Sequence, residues 1–150
     1  MAKVQKFIKL AYPLSAREAV EANFSKKELV RHSLTKWSNL FMNIIQAHGL
    51  VKRDTKDIGY YVGKHWISVL LVDGESCALC VKYRIAYSRK AAGCRLCPLA
   101  QSRNGIPCYE ETPEEKYSPW WMYLKDGDPQ PMITALEKCL DWLKEQGIRA

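Results

Sequence analysis

The feature that most constrains this chain is a double knuckle, Cys77-Ala-Leu-Cys80 and Cys94-Arg-Leu-Cys97, two C-x-x-C pairs with thirteen residues between them. Two residues between thiolates let the backbone turn around one ion, so each pair supplies two ligands and the two together complete a tetrahedral four-sulfur site. One structural Zn2+ is the economical occupant, even though the interval falls a little short of the roughly 15–20 residues usual for this zinc signature. Four thiolates also suit an iron–sulfur cluster. A single C-x-x-C can cycle between thiol and disulfide, but two would need a relay and a thioredoxin-like βαβ setting that the sequence does not offer. Buried thiols without a metal complete the alternatives.

Cys108 enlarges the choice, because only ten residues separate it from Cys97. Five candidates, Cys77, Cys80, Cys94, Cys97 and Cys108, then compete for four places. Cys139 belongs to an apolar stripe near the end of the chain and reads as a small buried hydrophobe.

The compartment matters for this chemistry. The longest strongly apolar run, Trp66 to Val72, is far shorter than the ~20 residues that cross a bilayer. No continuous apolar stretch follows Lys3, Lys6 and Lys9, so the start does not resemble a secretory signal. A cytoplasmic protein with no membrane partner is expected, and there paired cysteines are more often metal ligands than disulfides. With 150 residues and 47% hydrophobic content, one domain over 1–150 with a packed core is expected, the cysteine lobe at about 75–113 lying within it.

Helix signals stand on both sides of the lobe. Ser15 to Glu18 and Ser25 to Glu28 have capping-box spacing, so a short helix is expected from Ala16 to Asn23 and a long one after Ser25. The long helix carries an apolar face at Val30, Leu34, Trp37, Phe41, Ile44 and Ile45 and should end at Gly49. Near the C-terminus, Met132, Ala135, Leu136, Cys139, Leu140 and Leu143 follow helical spacing, opened at Asp128-Pro129 and closed at Gly147. Between these segments, the β-branched and aromatic stretch closed by Asp73-Gly74 predicts strands at 59–62 and 65–72, and residues 3–14 suggest an edge strand. The fold class expected is α+β: a single domain with a long N-terminal helix, a small antiparallel sheet, a zinc-knuckle lobe and a C-terminal helix.

Charge suggests partners. Residues 1–109 hold 18 Lys and Arg against 7 Asp and Glu, a net +11, whereas residues 110–150 hold 5 against 9, a net −4. Around the knuckles, Lys82, Arg84, Arg89, Lys90, Arg95 and Arg103 meet no acid, and Tyr83, Tyr87 and Tyr109 are interleaved with them. Four thiolates and Zn2+ would subtract only two charges from this lobe. The composition suits phosphate contacts and base stacking, with Lys82, Arg84, Arg89, Lys90 and Arg95 leading. The opposing interpretation is that these cations neutralise the thiolate cluster while the tyrosines pack over it.

The segment Ser118-Pro-Trp-Trp-Met-Tyr123 offers interface anchors in Trp120, Trp121 and Tyr123. If it is extended, one tryptophan packs inward and the other faces outward. The acidic stretch before it, Tyr109 to Tyr117, can pair with the basic lobe or imitate a phosphate backbone. Among the histidines, His32 reads as a surface or boundary residue, His48 as a helix C-terminal residue and His65 as a strand residue beside Trp66.

Parts of an enzyme are missing. The sequence has no H-E-x-x-H, no phosphate-binding G-x-x-x-x-G-K-[ST], no G-x-S-x-G and no deaminase signature. A catalytic zinc needs an open position and a general base, for which Glu75, Glu110 and Glu111 are the nearby carboxylates, so a metal-dependent enzyme ranks third.

Cys77-Ala-Leu-Cys80-x-x-Tyr83, Cys94-Arg-Leu-Cys97-Pro98, the glycine-containing turn, Cys108 and Thr112-Pro113 together resemble the cysteine-rich core of small proteins encoded by tailed bacteriophages. The resemblance covers 77–113. It implies a zinc-type site drawn from Cys77, Cys80, Cys94, Cys97 and Cys108 and a phage or bacterial setting, and it carries no activity. The leading expectation is a zinc-stabilised accessory protein that binds a host or phage protein, with nucleic-acid binding as the main alternative.

Overall fold

A computed structural model of the chain describes residues 15–47, 51–52, 60–62, 65–67, 78–85 and 96–147. Three helices open the described part: α1 (Ala16–Glu21), α2 (Lys26–Ser38) and α3 (Met42–Ala47). A π-helical segment covers Cys80–Ile85, and α4 (Pro98–Ser102), α5 (Pro119–Asp126) and α6 (Gln130–Glu145) follow.

Both capping boxes form. Ser15 and Ser25 each accept the N–H of the glutamate three residues on at 3.2 Å, and each donates its own N–H to that glutamate's carboxylate at 3.2 Å. The bond from the Ser15 backbone N–H, then that from its hydroxyl, holds the Glu18 carboxyl below its ordinary range.

The expected long helix is two helices. α2 stops at Ser38, and Asn39 and Leu40 turn back with i→i−3 bonds to Lys36 and Trp37 before α3 begins. The cause is local: the Ser38 hydroxyl donates to the Leu34 carbonyl at 2.7 Å, and the Asn39 amide donates to the Thr35 carbonyl at 2.8 Å. These side chains occupy carbonyls of the last turn and favour the tighter closing geometry over continuation. The break keeps Leu40 in the core, with Phe41 and Ile44 packed against it.

The α+β class is also corrected, because the packed body is helical. Segments β1 (Val51–Lys52), β2 (Tyr60–Val62) and β3 (His65–Ile67) pair antiparallel in that order, with Val51 opposite Tyr61 and Tyr61 opposite Trp66. Strands of two or three residues are too short to form a layer, whereas the 13-residue α2 buries Leu29, Val30 and Trp37 and the 16-residue α6 carries a continuous apolar stripe. The β-branched and aromatic composition marked local pairing and not architecture. The strand positions expected at 59 and 68–72, and the edge strand at 3–14, lie outside the described residues.

α6 is the axis of the core. α2, α4 and α5 all pack against it, and it buries Met132, Ile133, Ala135, Leu136, Cys139 and Leu143. Its start is fixed by Asp128, whose carboxylate accepts the Gln130 N–H at 3.0 Å, and its end by Gly147 at φ +75°. Trp37 of α2 meets Tyr123 of α5 edge to face, with centroids 5.0 Å apart and planes at 89°. Among the described residues no helix is long and apolar enough to cross a membrane.

Candidate metal centre and aromatic face

The second cysteine of each knuckle begins a helical turn. Cys80 opens the π-helical segment directly after Ala78 and Leu79, both buried, and Val81 and Tyr83 pack on the same core. Cys97 is the N-cap of α4 in extended conformation (φ −61°, ψ 132°), its carbonyl accepting the Gln101 N–H at 3.0 Å. Pro98, which has no N–H to satisfy, takes the first turn. Leu99 and Ala100 follow into the interior. Buried helical residues therefore anchor the second cysteine of each knuckle in one core.

Cys80, Cys97 and Cys108 are each half-buried, while Cys77 and Cys94 lie outside the described residues. Three candidates cannot fill four places, so a four-sulfur site needs Cys77, Cys94 or both. Among the described residues no cluster of three or more His, Cys, Asp and Glu side chains stands together. Cys139 is fully buried, and burial pushes its thiol up to about 11, with the Ser102 side chain acting weakly the other way. It behaves as an inert core residue.

Arg103 organises the loop that carries Cys108. The sequence counts it with the exposed cations of the lobe, but the structure buries it. Its Nη1 donates to the carbonyls of Ile106, at 3.0 Å, and Pro107. Its Nη2 donates to the Glu110 carbonyl at 2.9 Å and to the Glu115 carboxylate at 2.6 Å. Glu115 also accepts the Thr112 N–H at 2.9 Å. One guanidinium thus fastens residues 106–115, a stretch whose prolines deny it regular secondary structure. The Cys108 carbonyl in turn accepts the Trp120 N–H at 3.2 Å, tying this loop to the first turn of α5.

The acidic stretch therefore does pair with the basic lobe, through Glu115. A signal for this exists in the sequence: one arginine followed by a proline-broken loop that ends in four glutamates. A cleft of about 730 Å³ lies between this loop and α6, bordered by Asn104, Glu114, Thr134 and Lys138, and none of the described residues that line it is a cysteine or histidine.

The aromatic segment is helical, not extended. The Ser118 hydroxyl accepts the Trp121 N–H at 3.1 Å, Pro119 occupies the first turn and Gly127 closes the helix at φ +70°. Trp120 packs partly against the core, and Trp121 is 48% exposed. Tyr123 is completely buried, which corrects its assignment as a partner-binding residue. Burial also raises its phenol well above the ordinary range.

Of the cations proposed for nucleic acid, Lys82 is exposed on the π-helical segment. The side chains of Arg84, Arg89, Lys90 and Arg95 lie outside the described residues. His32 is buried in α2 instead of lying on its surface, as is Lys36 one turn later, whose ammonium stands 5.8 Å from the centroid of the Trp37 ring. Lys36 lies seven residues after Leu29 and three after Ser33, on the buried side of α2, whereas Lys26 is exposed and Lys27 half-buried. His65 enters β3, and His48 lies outside the described residues.

The chain matches no family model, no curated protein and no solved structure. Function has to be argued from the residues alone.

Proposed function

We propose that this is a zinc-stabilised, non-enzymatic accessory protein that binds a host or phage protein through the first turn of α5. The observation that carries the proposal is Trp121: a large indole about half exposed on a short helix whose adjacent Trp120 and nearby Tyr123 are held by the core. Exposed tryptophan on a rigid support is the usual anchor of a protein interface, since it offers a large contact area with little entropy to lose. One Zn2+ held by four of Cys77, Cys80, Cys94, Cys97 and Cys108 would fix the lobe beside that helix, replacing the periodic packing that the lobe lacks.

Two measurements test the two halves. Elemental analysis and native mass spectrometry should find one zinc per chain, lost in four of the five single Cys→Ser variants and retained in the fifth; a metal-free chain ends the zinc assignment. A photo-crosslinking amino acid placed at Trp121 should yield a discrete adduct in cells, absent when it is placed at exposed Lys144. Equal or absent adducts end the assignment of the binding face.

A further inference from the structure

We infer that the partner segment that docks on Trp121 is cationic, an arginine- or lysine-bearing stretch of protein, and this rests on the binding face proposed above. The Cys108–Trp120 backbone bond brings Tyr109, 40% exposed, alongside the start of α5 that bears Trp121. Tyr109 leads directly into Glu110 and Glu111, and Glu114 follows within the same loop; all three are exposed. The Arg103 clamp holds this loop by the Glu110 carbonyl and the Glu115 carboxylate, so the remaining glutamates project from a fixed support. None of the three makes an ion pair with a described residue.

Lys138 borders the same cleft as Glu114, whereas two other lysines are engaged with Tyr117. Lys125 holds its ammonium 4.6 Å from the centroid of the Tyr117 ring and 3.9 Å from the Asp126 carboxylate, and Lys116 stands 5.6 Å from the same ring. Both are directed at Tyr117. Among the described residues, Glu110 and Glu111 follow Tyr109 beside the start of α5 as exposed carboxylates, in a protein whose formal net charge is +7. Aromatic faces flanked by carboxylates favour a guanidinium or ammonium, which stacks on the ring while its N–H groups meet the acids. The described carboxylates disfavour phosphate beside Tyr109, which makes a cationic segment the better occupant.

The probe is a fluorescein-labelled oligo-arginine peptide, with oligo-glutamate of equal length and oligodeoxythymidylate as comparisons, followed by anisotropy on the full-length protein. Oligo-arginine should bind and the comparisons should not compete for its site. Trp121→Ala, and separately the triple variant Glu110→Gln, Glu111→Gln, Glu114→Gln, should each weaken binding about tenfold. Neutralising Glu137 and Asp141, exposed on α6, should leave it unchanged. No oligo-arginine binding, or a loss equal in both charge variants, overturns the inference. A crosslinked partner at position 121 together with no oligo-arginine binding would retain the binding face and overturn only its cationic partner. Absence of both would remove face and partner together.

Discussion

The guanidinium of Arg103 and the carboxylate of Glu115 meet at 2.6 Å across twelve residues of chain, with the arginine side chain 8% exposed and the glutamate 32%. The pair is asymmetric in consequence. Removing Arg103 strands the carbonyls of Ile106, Pro107 and Glu110 together with the Glu115 carboxylate, whereas removing the charge of Glu115 leaves three of the four acceptors served. Arg103→Met should therefore lower the unfolding free energy by about 3 kcal/mol, and Glu115→Gln by about 1 kcal/mol. Urea titration of both variants checks this, and equal effects would show that the carboxylate, not the set of carbonyls, holds the loop.

The helical part of this architecture was legible in the sequence, and the failures have two causes. The capping serines and the stripe of α6 rest on local rules in which a residue's neighbours in sequence decide its role. Asn39 breaks the long helix with a bond to Thr35 that competes with a strong apolar period, and period alone gave no warning of it. Arg103 and Glu115 act on each other across a loop, which no local pattern reports. The strands misled for the opposite reason: β propensity is local, but a layer needs length and a partner surface.

Ser25 offers a clean test of the local rules. Its hydroxyl satisfies the Glu28 N–H at the start of the helix that packs most extensively on α6. Ser25→Ala should cost about 1 kcal/mol, and Ser25→Asp or Asn should recover most of it because either side chain can accept the same bond. Thermal unfolding of the three variants against wild type measures both effects.

Cys139 predicts a pH dependence with a definite sign. Its thiol is pushed up to about 11 in the folded protein from an ordinary value near 9, chiefly by burial. An acid whose folded pKa is raised binds its proton more tightly when folded, so its contribution is fully present below pH ~9 and is lost as pH rises toward 11. Unfolding free energy measured from pH 8 to pH 11 should fall, and Cys139→Ala should fall less steeply over the same interval while starting lower because of the cavity it leaves. The same burial predicts slow reaction with a thiol reagent until the protein unfolds.

Trp121 and Tyr123 lie two residues apart on α5 and should separate binding from stability. Tyr123 is fully buried against Trp37, so Tyr123→Ala removes a large core side chain and should cost about 3–5 kcal/mol. Trp121 is half exposed, and Trp121→Ala should change stability by no more than about 0.5 kcal/mol. If the exposed indole is the anchor of an interface, the second substitution abolishes partner crosslinking in a protein that melts like wild type. A Trp121→Ala protein that unfolds as readily as Tyr123→Ala would instead make the indole part of the core's own support, because truncating an anchor that faces only solvent in the unbound protein leaves no cavity behind.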